Sequence, residues 1–168
     1  MHKISDSELL QLTSQVAQCM VDVNWRLSVA ESCTGGWISK VLTDMPGSSA
    51  WFEYGFVSYG NNAKVAMLNV DPALIEKYGA VSGEVAEAMV AGALAASGAQ
   101  LALAVTGIAG PDGGTPDKPV GTVWFGFALP GAVEVTRAKL VGTRDEVRGR
   151  ATQQALFGLW RRLKNLPD

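Results

Sequence analysis

The chain has 168 residues, 48% of them hydrophobic, and a formal net charge of −2. It is long enough for one domain with its own core. The composition argues against a disordered chain and against a broad cationic surface for nucleic acid. Its only histidine is His2, at the terminus, and its only cysteines are Cys19 and Cys33. Ser-His-Asp and Cys-His catalysis, a disulfide framework and a His/Cys zinc site are therefore set aside.

In chain order, Ser5 and Glu8 form a capping box that opens a helix running to about Val23, with Cys19 on its core side. No apolar segment of signal-peptide type precedes it, so a cytoplasmic location is expected. Arg26 to Ser32 reads as a strand, followed after Gly35 and Gly36 by a helix. Trp51 to Gly60 is aromatic and β-branched, hence a strand. A short helix is expected from about Asn62 to Leu68, capped by Asn61 or Asn62. Another comes next, with Asp71 as cap and Pro72 at its first position.

Ser82 to Ala96 reads as a helix of small residues, suited to close packing on a sheet. Met89 to Gly110 carries no charge, but the turn signal at Ala96–Gln100 divides it into a buried helix and a buried strand, not a membrane span. The strand is "LALAVTG". A long glycine-rich loop then leads to a hairpin, Val120 to Leu129 and Val133 to Leu140, and a last helix runs from about Arg144 to Leu163 behind a Thr143 cap. This alternation predicts one α/β domain over residues 1–168: a three-layer α/β/α sandwich around a mixed β-sheet.

Four places could carry chemistry. "AESCTGG" is a strand end running into a helix start, where Ser32, Thr34, Gly35 and Gly36 could offer backbone N–H groups to an anion or oxyanion. Cys33 sits there too, with no histidine to activate it. "TGIAGPDGG" places Thr106, Gly107 and Gly110 beyond a buried strand's carboxyl end, where ligands of open α/β sheets bind. Asp112 and Asp117 in that loop read as turn residues, with a hydrated divalent ion as the alternative. Arg144 and Arg148 share one helical face, fit to clamp a phosphate or carboxylate, or else to pair with Asp145 and Glu146.

The fourth place is "PGSSAWFEYGFVSYGNNAK". A serine needs a base, and lysine serves if its amine is neutral. Lys64 falls in the first turn of a predicted helix, against the usual preference for acids there, and burial or the helix dipole would lower its pKa. Tyr59 closes the preceding strand.

The motifs "AESCTGG", "PGSSAWF", "VSYGNNAK", "AVTGIAGPDGG", "PVGTVWF" and "RDEVR" occur in an order and spacing that resemble the CinA C-terminal domain family. The resemblance covers nearly the whole chain. It implies an α/β/α fold and metal-free hydrolysis of the carboxamide of nicotinamide mononucleotide by a Ser/Lys mechanism, with no cofactor. It also implies that Ser49 is the nucleophile, Lys64 its base, Tyr59 and Ser32 their helpers, and Arg144 a substrate contact. Where the family often has Gly-Asp-Arg, this chain has Gly142-Thr143-Arg144. The rival expectation from another class is a non-catalytic nucleotide-binding module using the same pocket. A third is a phosphohydrolase using Asp112 and Asp117 with magnesium. No nucleic-acid or membrane partner is expected. The small-residue helix and the last helix offer surfaces for a homodimer or higher homo-oligomer.

Overall fold

A computed structural model of the chain describes residues 4–166; His2 lies outside them. The elements are α1 (Asp6–Val23), β1 (Leu27–Glu31), α2 (Trp37–Thr43), a 3₁₀ turn (Ser48–Ala50), β2 (Phe52–Val57), α3 (Asn61–Leu68), α4 (Pro72–Tyr78), α5 (Gly83–Ser97), β3 (Leu101–Gly107), β4 (Thr122–Leu129), β5 (Ala132–Lys139) and α6 (Arg144–Lys164). The strands form one sheet in the order β2-β1-β3-β4-β5. β2, β1 and β3 are parallel, while β4 and β5 run antiparallel as a hairpin. The mixed sheet lies between two helical layers, as the sequence predicts.

Side-chain size decides which layer packs where. Along β3, Leu101, Leu103 and Val105 face one way and Ala102 and Ala104 the other, by the two-residue period of a strand. The large face meets Val16, Met20, Ile38, Leu156 and Leu159 of α1, α2 and α6. The small face, with Ala30 and Ala128, meets Val85, Met89 and Ala93 of α5 and Leu68 of α3. Two cores result, one on each side of the sheet. A Cβ built on Gly126 of β4 would lie 2.7 Å from the Ala86 carbonyl oxygen of α5. The helix therefore rests almost directly on the strands.

The outer helices on that side are just as close. A Cβ on Gly92 of α5 would stand 1.9 Å from the Leu68 carbonyl oxygen at the end of α3, far inside van der Waals contact. Helix propensity alone favours alanine over glycine by about 1 kcal/mol. Packing reverses the sign here, because α3 would have to move away. Gly92→Ala is expected to destabilise the protein by about 2 kcal/mol, as overpacked cores do. Urea unfolding followed by circular dichroism checks this, and a gain in stability would contradict the tight α3–α5 contact.

Local signals behave as read at most ends. Ser5 builds its capping box with Glu8, Asp71 caps α4 and Thr143 caps α6; beyond the reading, Thr143 forms a capping box with Glu146, and Ser82 is the cap of α5 and not its first residue. One cap differs. α3 takes in both asparagines, and its N-cap is Gly60, extended and without a side-chain cap. Among the described residues, no helix is long and apolar enough to cross a membrane.

Candidate active site

Parallel pairing places the carboxyl ends of β1, β2 and β3 at one edge of the sheet. Ser32 comes directly after β1, Ser58 and Tyr59 after β2, and Ile108 to Gly110 after β3. Together with Cys33, Asn61, Lys64, Val81, Asp112 and Arg144, Ser32, Tyr59 and the loop beyond β3 line a cleft of about 290 Å³. Larger clefts lie elsewhere on the surface, but this one gathers the strand ends and the buried lysine.

Lys64 comes from the first turn of α3 and is 1% exposed. Its Nζ lies 2.9 Å from the carbonyl oxygens of Ser58 and Tyr59, to which it donates, and 2.9 Å from Ser32 Oγ. Burial lowers its pKa from 10.5 to about 8. As an ammonium it has three N–H donors for these three oxygens. As a neutral amine it keeps two N–H groups for the two carbonyls and has a lone pair left for Ser32. The contact with Ser32 then runs the other way, with Oγ–H donating to nitrogen. In the charged state the serine hydroxyl has a second acceptor, the Tyr59 carbonyl oxygen at 3.3 Å. Two protonation states thus fit one set of atoms.

Ser49 is not part of this group. The expected Ser49–Lys64 pair is corrected by the geometry: Ser49 is exposed in the 3₁₀ turn before β2, and its carbonyl oxygen accepts from Arg26 Nη1 at 3.3 Å. Arg26 precedes β1 and Ser32 succeeds it, so the two ends are separated by roughly 20 Å of extended chain. Ser49 and Lys64 stand on opposite sides of β2 in sequence and at opposite ends of the sheet in space.

The remaining residues divide. Arg144 Nη2 donates to the Tyr59 hydroxyl at 3.1 Å and Nη1 to the Gly110 carbonyl oxygen at 2.8 Å, joining three loops at the cleft mouth. Thr106 lines the cleft, with its hydroxyl donating to the Ala80 carbonyl oxygen at 2.8 Å. Thr34, Gly35 and Gly36, expected as substrate contacts, are not among the residues that line the cleft. Arg148 donates to the carbonyl oxygens of Cys33 and Thr34, at 3.1 and 3.0 Å, and lies over the Trp37 ring. The two arginines of one helical face therefore play different parts. Arg144 faces the cleft, and Arg148 ties down the turn. Cys33 is buried, and burial pushes its thiol up to about 12, which opposes a thiolate nucleophile. Asp112 reaches the cleft and is exposed, as is Asp117.

Backbone donors at the start of α2 are mostly taken. The N–H groups of Gly36, Ile38 and Ser39 all go to the Glu31 carboxylate. Candidate oxyanion donors are instead the N–H groups of the cleft-lining backbone at Cys33, Ala109 and Gly110. Glu31 and Asn61 do not stand out from sequence. For Glu31 a signal exists, an acid closing an otherwise wholly apolar and small strand.

The family model described as CinA C-terminal domain matches residues 9–163. The nicotinamide-nucleotide amidohydrolase PncC of Escherichia coli strain K12 is 51% identical over 158 residues, covering 94% of this chain and 96% of that protein. The protein of the same name from Pseudomonas putida is 49% identical over 148 residues, covering 88% of this chain and 92% of its own length. Among solved structures, the competence/damage inducible protein CihA from Agrobacterium tumefaciens matches with a TM-score of 0.90 at 38% identity, over 98% of this chain and 99% of that one.

Proposed function

The chain belongs to the CinA C-terminal domain family, and on that premise we propose that it is a nicotinamide-nucleotide amidohydrolase, converting nicotinamide mononucleotide to nicotinate mononucleotide and ammonia. The reading is supported by the names of its relatives along nearly their whole length. The observation that carries the mechanism is the 2.9 Å contact between the buried Lys64 amine and Ser32 Oγ. Neutral Lys64 takes the Ser32 proton as Oγ attacks the carboxamide carbon. The tetrahedral oxyanion is met by cleft N–H groups. The Lys64 ammonium returns the proton to the departing nitrogen, which leaves as ammonia. Water then adds to the acyl-enzyme ester, with Lys64 again as base, and the carboxylate product departs as Ser32 recovers its proton.

In this reading Arg144, at the cleft mouth, meets the phosphate, exchanging its bond to the Tyr59 hydroxyl for one to the ligand. A cytoplasmic site of action accords with two buried, unbridged cysteines. An NMR time course of nicotinamide mononucleotide with the protein tests the activity. Equal amounts of nicotinate mononucleotide and ammonia are expected. Saturable binding without turnover would instead make the domain a nucleotide-binding module.

A further inference from the structure

Glu31 is fully buried, and its carboxylate meets hydrogen-bond donors rather than a cation. Oε2 accepts from the N–H groups of Gly36 and Ile38 at 3.1 and 3.0 Å. Oε1 accepts from the N–H and the hydroxyl of Ser39 at 2.8 and 2.7 Å. A carboxylate taken out of water is tolerated only when such donors replace its hydration. Four of them converge here, three from the backbone at the start of a helix, whose dipole also favours the negative charge.

The backbone of the same residue is held as firmly. Glu31 lies in β1 between β2 and β3, its carbonyl oxygen accepts from the Ser58 hydroxyl at 3.4 Å, and the next N–H, of Ser32, donates to the Val105 carbonyl oxygen at 2.9 Å. Residues 32–35 are thus spanned by a loop whose two ends are both anchored on Glu31, one through its main chain and one through its side chain. Gly55 of β2 makes the arrangement feasible. A Cβ there would lie 2.6 Å from Ser39 Oγ, in the space that hydroxyl uses to reach the carboxylate.

We propose that Glu31 is a positioning residue for the reaction: its carboxylate closes the 32–36 turn and thereby aims Ser32 Oγ at the Lys64 amine. The proposal rests on the reading of Ser32 as nucleophile. It has a second consequence. By occupying the N–H groups of Gly36, Ile38 and Ser39, Glu31 removes the start of α2 as an anion site and leaves the developing oxyanion to N–H groups of the cleft lining.

Glu31→Gln keeps the size and turns one acceptor oxygen into a donor that faces backbone donors. A nucleophile displaced by about 1 Å loses rate on the order of 100-fold. Kinetics with nicotinamide mononucleotide should therefore give a kcat about 100-fold lower with KM changed less than about threefold. Ser39→Ala removes one of the four donors and should lower kcat by about three- to tenfold, again at constant KM. If Glu31→Gln does not fold, Ser39→Ala decides alone. Unchanged kcat in a folded variant, or loss of kcat and KM together, overturns the proposal. Labelling of Ser32 by a fluorophosphonate, read by mass spectrometry, separates this from the substrate assignment. Wild-type labelling that slows in Glu31→Gln, with no turnover of nicotinamide mononucleotide by either, leaves Glu31 in place and discards the substrate. Equal labelling rates in both proteins discard the role of Glu31.

Discussion

Replacing Ser32 by alanine is expected to lower kcat for nicotinamide mononucleotide by at least about 1,000-fold, while Ser49→Ala stays within about twofold of wild type. The first figure comes from removing a nucleophile whose partners remain in place. Ser32→Ala should still bind substrate, since the hydrogen bonds that hold Arg144 at the cleft mouth do not involve Ser32. The second comes from position. Ser49 is exposed, its hydrogen bond to Arg26 uses the main-chain oxygen, and a surface hydroxyl of this kind contributes little to stability. Single-turnover assays of both variants, with thermal melts as folding controls, decide between the two serines. Loss of turnover in Ser49→Ala with turnover kept in Ser32→Ala would return the nucleophile to Ser49.

The second large effect concerns Lys64. With a pKa of about 8, the amine is mostly charged at pH 7 and acts as base only in its neutral fraction. kcat/KM should rise about tenfold per pH unit below pH 8 and level off above it. Lys64→Met should lower turnover by at least about 1,000-fold, and Lys64→Arg equally, because a guanidinium does not lose its proton. Stability tracks the same titration with a definite sign. The folded-state pKa lies below the unfolded value of 10.5, so between about pH 8 and 10.5 the unfolded chain binds more protons. Stability therefore rises with pH across that window, and below it the burial of the charge costs its full amount. The gain is on the order of 3 kcal/mol. Urea titrations from pH 7.5 to 10.5 should record it for wild type and not for Lys64→Met, other titrating groups being common to both. Parallel curves would place the proton elsewhere.

Most of the fold is legible in the sequence because its signals are local. The Ser5/Glu8 capping box, the Thr143 cap, the Asp71-Pro72 start and the apolar "LALAVTG" strand each constrain their own neighbourhood. The cap of α3 is not, since chain direction after β2 leaves Gly60 to enter the helix and the asparagines to begin it. Lys64 is legible as base from the lack of a usable histidine. The serine that the family resemblance assigns to it, Ser49, does not reach it within the chain. A strand carries the chain from one end of a sheet to the other, so residues flanking β2 cannot meet across it. Parallel pairing with β1 brings together the residues just past each strand's carboxyl end, Ser32 on one side and Tyr59 and Lys64 on the other. Glu31 escapes notice because its partners are mostly backbone groups, which a sequence does not display.

The two cores on either side of the sheet meet at the contact between Ser32 and Lys64. Ser32 stands at the end of β1 on a turn fastened to α2 and α6, whose side chains fill one core, while Lys64 rides on α3, whose Leu68 belongs to the other. The 2.9 Å between the Ser32 hydroxyl and the Lys64 amine is therefore a measure of how two separately packed layers are aligned. Turnover can fall through a slippage of one layer that leaves helix content and unfolding midpoint nearly unchanged. In a mutational survey, positions far from the cleft in either core would then divide into those that weaken the protein and those that only detune it.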